Sequence, residues 1–422
     1  MPTTSPASGS PALADINLWD KDRFVEGVPH DWFETLRREA PVYWHEGDPT
    51  FEGHNGAGAG AFWCVTGYDD VVTVNRDNAT FSSAERLVFM WDPDDANLDQ
   101  QRLLMLNMDP PLHTRYRRLI NKGFTPRMVS ELESTMRKRT SEIIDRVAEK
   151  GECDFVTEVA AELPLQVIAD LMGVPQADRH MLFEWSNRMI GADDPEYGIT
   201  EEIAQHASME LYAYASQLAE QKRANPKDDL ISVLTHSEVD GEQLSDLELD
   251  LFFLLLSVAG NETTRNLISH GMVDLLQNPD QLEKVRKNRA LLPGTVEEML
   301  RFASPVMHFR RTATSDVQLG GQQIKTGDKV VIWYISANRD EKVFKDPYTF
   351  DIERTPNEHV AFGGGGPHFC LGANLARMEI NVMFDEVLDR LDDIELAAPV
   401  SRLRSNFING LKHIPLKFTA KR

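Results

Sequence analysis

The stretch Phe362–Arg377, FGGGGPHFCLGANLAR, constrains this chain more than any other. Four glycines and His368 precede Cys370, and a strong helical pattern follows it. Glycines carry no side chain, so they let a flat, bulky object approach the backbone. A cysteine at the mouth of a helix has its thiolate favoured by the helix N-terminus and the N–H groups there. Such a thiolate is suited to be the axial ligand of a haem iron. On this stretch alone, a glycine-rich turn holding an incidental buried cysteine is the competing reading.

The remaining sequence says what body must hold that segment. A chain of 422 residues can build one large core or two domains. Its three cysteines, Cys64, Cys153 and Cys370, are odd in number and far apart. That speaks against a disulfide framework and for a reducing compartment. The start of the chain lacks a basic, then apolar, leader. The strongest apolar run, Leu251–Gly260, has ten residues, against about 18 or more for a spanning helix. The expectation is a cytoplasmic protein without a membrane anchor. A net charge of −23 disfavours nucleic acid as a partner.

Residues 1–20 are rich in Pro, Ser and Ala and are expected to be loose. Apolar residues recur at helical spacing over Pro126–Glu149, Val156–Met172, Glu201–Arg223, Asp228–Leu234, Leu244–Gln277 and Pro293–Phe302. Strand patterns occur at Phe62–Thr66, Val317–Ile324, Lys329–Ile335 and Leu396–Thr419. The fold class read from this pattern is mostly α with a smaller β-rich part, as one domain over residues 21–422.

Three further segments could carry chemistry. The apolar helix at Leu244–Gln277 is interrupted by Ala259-Gly260-Asn261-Glu262-Thr263-Thr264. Glycine costs a helix about 1 kcal/mol relative to alanine, and hydroxyls loosen its hydrogen-bond ladder. Such a local conflict often marks function. An acid beside a hydroxyl could relay protons; a solvated helix face reads as well. Glu298 and Arg301 stand at i, i+3, a spacing that usually gives only a surface ion pair. His113 and Arg117 stand at i, i+4 and could together hold a carboxylate. An ordinary basic helix face is the alternative there.

In order and spacing these segments resemble the cytochrome P450 family of haem-thiolate monooxygenases, from about Trp32 to Phe418. The resemblance implies a mostly α fold with haem b between the long central helix and the helix after the cysteine loop. It implies Cys370 as the thiolate ligand, with Phe362 and Gly372 as cofactor-binding members of its loop. Glu262 and Thr263 match the acid–alcohol pair that delivers protons during oxygen activation. Ala259 and Gly260 match a helix distortion that makes room for oxygen. His113, Arg117, Arg311 and His368 match the partners of the haem propionates. Glu298, Arg301 and Arg354 match a buried structural cluster. The chain departs from the usual pattern twice. Phe362 lies eight residues before Cys370 instead of seven, and Glu262 stands where Asp is commoner.

The runs GNETTRN, SANRDE and FGGGGPHFCLGANLARME look most like bacterial enzymes that hydroxylate terminal methyls of steroid side chains and methyl-branched lipids. NMDPPLHTRYRRLI, DPEYG and NGLKHIP lean toward steroid side-chain 26-monooxygenases acting on cholesterol- or cholestenone-type molecules. Ser304-Pro-Val-Met-His-Phe leans toward the branched-lipid group. Pocket walls are expected from Leu87, Val88, Phe89, Val258, Ala259, Val306, Met307 and Ile408, each equally compatible with plain core. The chain carries no GxGxxG fingerprint and no ferredoxin cysteine set. Electrons would come from a small acidic ferredoxin and its reductase, docked on Arg115, Arg118, Lys122 and Arg377 of a monomer. The rivals are an omega-hydroxylase of methyl-branched fatty acids or terpenoids, a haem-thiolate peroxygenase, a non-catalytic haem sensor and a cofactor-free helical scaffold.

Overall fold

The run Lys-Val-Val-Ile-Trp at 329–333 shows no polar–apolar alternation, the pattern of a strand covered on both faces. In the computed structural model it is the middle strand of five, in the order Val42–His45, Phe62–Val65, Lys329–Trp333, His308–Ala313 and Phe81–Ser82. It runs parallel to Phe62–Val65; the other pairings are antiparallel. Its side chains alternate between two cores. Val331 and Trp333 join Leu18, Trp19, Phe33 and Leu36, while Val330 and Ile332 join Val71, Val74 and Val360.

The structure describes residues 10–421, except 53–57, 93–94, 96–97, 122–123, 125, 192–193 and 240. The chain forms two compact units. The first holds residues 1–113, 297–370 and 404–409; the second holds 114–296, 371–403 and 410–422. The five-stranded sheet belongs to the first. Ile16, Leu18 and Trp19 are buried in its core. The expectation of a loose segment over 1–20 is therefore wrong for its latter half, where apolar burial outweighs the Pro/Ser/Ala-rich start. Residues 1–9 lie outside the described residues.

Helices dominate the second unit. The patterns read from sequence appear as Pro126–Ala148, Glu162–Met172, Glu201–Ala224, Leu230–Thr235 and Asp246–Gln277, with a π turn at Val156–Ala160. Asp246–Gln277 opens on a capping box: Ser245 Oγ accepts the Glu248 N–H, and Glu248 Oε2 accepts the Ser245 N–H at 2.7 Å. It stops at Asn278, because the following Pro279 disfavours the helical conformation before it. Ala373–Arg390 packs on Pro126–Ala148, and Glu201–Ala224 packs on Asp246–Gln277. Leu391–Leu396, Pro415–Ala420 and Glu152–Asp154 form a small sheet. No described helix is long and apolar enough to cross a membrane.

The strand His308–Ala313 escaped the sequence reading because His308, Arg310 and Arg311 hide its period. All three are buried. The His308 ring packs at a tilt against Trp333 and Phe407, with centroids 4.5 and 5.4 Å away. Neither ring nitrogen has a hydrogen-bond partner among the described residues. Burial pushes its pKa down to about 3, against about 6.5 for a free histidine. Between those values the unfolded chain binds a proton that the folded chain refuses. Stability should thus fall as pH drops from about 6.5 toward 3, by at most about 1.4 kcal/mol per pH unit from this residue. Thermal midpoints of His308→Leu should decline less steeply over that window. Parallel curves for both proteins would rule this account out.

Candidate active site

In the first unit the chain from Val360 to Cys370 is a tight turn. The Cys370 N–H donates to the Phe362 carbonyl at 2.9 Å, and Phe369 N–H donates to Gly366 O at 3.2 Å. Gly363, Gly365 and Gly366 have φ of +81°, +99° and +80°, left-handed values that favour glycine. A Cβ on Gly366 would sit 2.3 Å from the Asn75 carbonyl oxygen, and one on Gly364 2.9 Å from Val72. Arg76 Nε donates to Gly364 O at 3.0 Å. Gly364, Gly365 and Gly366 therefore serve the seat of the turn on helix Tyr68–Arg76. Gly372 differs: a Cβ there meets nothing within 4 Å. It caps the start of Ala373–Arg390 in the second unit, three residues after the start set by Cys370 in sequence.

Among the three thiols, position and burial single out Cys370. Burial raises the pKa of Cys64 far above the usual thiol range and pushes Cys153 up to about 12. Both stay protonated and act as small apolar side chains. Cys370 is half-buried, just ahead of a helix.

The expected acid-binding residues separate into two kinds. His113 is buried, with its ring centroid 4.2 Å from that of His368. His368 Nε2 lies 3.0 Å from Met108 O and 3.2 Å from Ser83 Oγ. Arg311 is buried and donates to the Arg310 carbonyl at 2.7 Å, yet forms no ion pair among the described residues. Desolvation lowers its pKa. A buried guanidinium without an anion is costly, several kcal/mol in general, so Arg311 is suited to receive an acid group from a bound molecule. Arg117 is half-buried on helix Leu112–Ile120.

Helix Asp246–Gln277 of the second unit holds Glu262 and Thr263. The expected distortion at Ala259–Gly260 is not present: the helix is continuous. Gly260 is small because a Cβ would sit 2.8 Å from Ile168 of the neighbouring helix Glu162–Met172. Thr263 Oγ1 donates back to the Ala259 carbonyl at 2.9 Å; Ala259 is exposed and Thr263 half-buried. Glu262, about 100° further round the helix, is buried. Its Oε1 accepts from Arg265, paired at i+3, and from Asn266 Nδ2 at 3.1 Å. Its Oε2 has no partner among the described residues. Arg265 also donates to Asn187 Oδ1 at 3.0 Å. The sequence reading missed Arg265, although its spacing from Glu262 signalled a pair.

Glu298 and Arg301 are no surface pair. Both side chains are fully buried in the first unit, bonded at 2.7 and 2.8 Å. Arg354 Nε reaches Glu298 at 3.2 Å. Of the expected pocket residues, Met307 belongs to the packed core around Trp333. Leu87, Val88 and Ile408 are also buried, while Phe89, Val258 and Val306 are half-buried and Ala259 is exposed. Ile408 bridges Val306. Arg118 is exposed, Arg115 and Arg377 are half-buried, and Lys122 lies outside the described residues.

A haem asks for an axial donor, cations for two carboxylates and small residues along one face. Unit by unit, the residues fit: Cys370 and the uncompensated Arg311 in one, the small residues Ala259, Gly260 and Gly372 in the other.

Comparison with known proteins agrees. Residues 165–396 match the family model of Cytochrome P450. A Steroid C26-monooxygenase from Rhodococcus jostii is 45% identical over 406 residues, covering 96% of this chain and 84% of that protein. A Methyl-branched lipid omega-hydroxylase from Mycobacterium tuberculosis is 42% identical, covering 96% and 95%. Among solved structures, a Mycobacterium marinum cytochrome P450 in complex with pseudoionone gives a TM-score of 0.87 at 36% identity, over 99% of this chain and 100% of that one. A Bacillus megaterium enzyme in complex with testosterone gives 0.79 at 35%, over 92% and 99%.

Proposed function

The chain belongs to the cytochrome P450 family, and we propose that it hydroxylates the terminal methyl of a cholesterol- or cholestenone-type side chain. It is a haem-thiolate monooxygenase that binds haem b and acts on apolar molecules with a redox partner. The observation that carries the substrate proposal is the 45% identity to steroid C26-monooxygenases along almost the whole chain. The 42% identity to methyl-branched lipid omega-hydroxylases supports the second reading, a branched lipid oxidised at its chain end.

When bound, haem supplies dioxygen activation and the oxidising power for an unactivated C–H bond. The protein's own residues have separate roles in this proposal. Cys370 would hold the haem iron through its thiolate and lend it electron density. Arg311, His113, Arg117 and His368 would bind the cofactor's two acid groups. Thr263 supplies a half-buried hydroxyl and Glu262, next to it on the helix, a buried carboxylate, so protons can move between them through water. Glu298, Arg301 and Arg354 hold the backbone of Asn338 and of Lys345–Asp351 in the first unit. The chain passes between its two units five times. Neither can be cut out as one stretch, so residues 21–422 are proposed to work as one functional domain. The electron donor is proposed to be an acidic ferredoxin served by its reductase, and the enzyme a cytoplasmic monomer.

The test is a titration of purified haem-loaded protein with cholest-4-en-3-one, a methyl-branched fatty acid and a terpenoid, following the haem spin state. Products formed with ferredoxin and reductase are then identified by mass spectrometry. The steroid should bind about tenfold or more tightly than the others, equivalent to about 1.4 kcal/mol, and be oxidised at its terminal methyl. Tighter binding and turnover of the branched fatty acid would transfer the assignment to the second reading.

A further inference from the structure

Two motifs that only coloured the substrate reading, DPEYG at 194–198 and NGLKHIP at 409–415, meet in the second unit through their charged residues. Lys412 Nζ binds Asp194 Oδ1 at 3.0 Å and Glu196 Oε2 at 2.5 Å. His413 places Nε2 2.8 Å from Glu196 Oε1 and Nδ1 2.5 Å from Asp154 Oδ2. The acidic turn is itself compact. Asp194 N–H donates to Gly191 O at 3.0 Å, Glu196 N–H to Asp194 Oδ1 at 3.0 Å, and Tyr197 N–H to Asp194 O at 3.2 Å. The Tyr197 ring lies over Gly191, where a Cβ would come within 2.8 Å of it. Gly191 ends the helix Arg179–Ile190, which carries Asn187, the partner of Arg265.

The strand Leu411–His413 also reaches the proposed relay acid. The Leu411 N–H donates to Asn266 Oδ1 at 3.1 Å, and Asn266 Nδ2 donates to Glu262 Oε1 at 3.1 Å. An amide has one donor end and one acceptor end. The Leu411 N–H therefore dictates which way Asn266 points, and with it the donor that meets Glu262. If the strand shifted, Asn266 could turn its oxygen toward the carboxylate and repel it. Among the described residues the strand pairs with Ser401–Arg402 across an irregular register, and just beyond it Ile414 O accepts the Phe155 N–H at 2.9 Å while the Ile414 N–H donates to Asp154 Oδ1 at 3.1 Å. Short two-stranded ribbons are marginal alone, so the side-chain ties at Lys412 and His413 add to these backbone bonds in fixing its place.

We infer that Lys412 and His413 are positioning residues for the reaction: by holding the acidic turn Asp194–Gly198 to the strand Leu411–His413, they fix Asn266 and hence Glu262. The inference rests on the reading of Glu262 and Thr263 as the proton relay. The clasp is pH-dependent. The groups facing His413 are Asp154 on the strand Glu152–Asp154, Glu196 on the turn, and Lys412 beside it. Glu158, which accepts the Asp154 N–H at 3.0 Å and pairs with Lys150, stands behind. Hydrogen bonds to Asp154 and Glu196 raise the pKa of His413. Its contribution is therefore complete below about 6.5 and is lost as pH rises through the higher folded value. Lys412 keeps its charge throughout: burial works against its charge, but hydrogen bonds to Glu196 and Asp194 outweigh it and raise its pKa.

The experiment measures hydrogen exchange of the 194–198 amides and product formed per dioxygen consumed, on full-length haem-loaded protein. It compares wild type, His413→Gln, His413→Arg and Thr263→Ala from about pH 6 to about pH 9. Wild type should lose about two- to fivefold of its protection across this range, with coupling falling in parallel. His413→Gln should show the lower protection and coupling at every pH, and His413→Arg should hold both at high pH. Flat wild-type protection, or altered protection with unaltered coupling while Thr263→Ala uncouples, overturns the inference and leaves the relay standing. Full coupling in Thr263→Ala overturns the relay reading, and this inference with it.

Discussion

Cys370→Ser is expected to lower monooxygenase turnover by roughly a thousandfold or more, about 4 kcal/mol in barrier, while the chain still folds. A serine hydroxyl fits the volume but stays protonated and cannot donate electron density to the iron as a thiolate does. The specific readout is the reduced carbon-monoxide complex, whose red-shifted Soret band reports a thiolate ligand and should vanish. Circular dichroism should be unchanged, since the turn from Phe362 to Cys370 is fixed by backbone hydrogen bonds and by its seat on Tyr68–Arg76, none of which uses sulfur. Cys64→Ser and Cys153→Ser are the controls. Both thiols are buried and held protonated. Their loss should cost stability and leave the band in place. A Cys370→Ser protein that kept the band, or a control that lost it, would mean another ligand holds the iron.

Two buried arginines show how structure separates support from binding. Arg301 has every requirement met: two contacts to Glu298 and three to the carbonyls of Asn338, Pro347 and Thr349. A guanidinium so completely satisfied has nothing left for a ligand. Arg311 is as deeply buried, yet holds only a neighbouring carbonyl among the described residues. Desolvation without compensation is what a site for an acidic group looks like before the group is considered. In sequence both are simply arginines in or near a helix–strand junction. Neither spacing nor composition reveals which is satisfied, because the carbonyls that complete Arg301 are distant in sequence.

The same limit explains what else could be read. The long helices were legible because apolar period, caps and the Asn278–Pro279 stop agree locally. The central strand was legible because all of its residues are buried and most are apolar. His308–Ala313 was not, since it buries a histidine and two arginines against the usual pattern. The glycines before Cys370 were visible, but their reason was not: Gly364 and Gly366 answer to Val72 and Asn75, far away in sequence. Gly260 likewise answers to Ile168. Cys370, Glu262 and Thr263 could be named from sequence. The pairing of Glu262 with Arg265 and Asn266 is local to the helix and could be read from spacing, whereas the meeting of DPEYG with NGLKHIP depends on tertiary pairing that one sequence does not display.

Glu298→Ala should destabilise the protein by about 3–5 kcal/mol, a large share of an ordinary margin of about 5–15 kcal/mol. Glu298 uses both oxygens: Arg301 and Arg354 bind them, and Asp351 N–H at 2.9 Å and Asn357 Nδ2 at 3.1 Å complete the set. Removing it leaves a fully buried Arg301 charged and without an anion. Arg301→Lys keeps the charge but loses the fork that spans Asn338 and Pro347, so it should rescue little. Arg354→Ala should be milder, about 1–3 kcal/mol, because Glu298 retains its other partners. The double replacement Glu298→Ala/Arg301→Ala should cost less than the sum of the singles, since neither charge is then left alone. Denaturant midpoints of the soluble variants measure this, and soluble yield ranks any that fail to accumulate. Glu298→Ala within about 1 kcal/mol of wild type, or strict additivity in the double variant, would mean the cluster does not hold the first unit together.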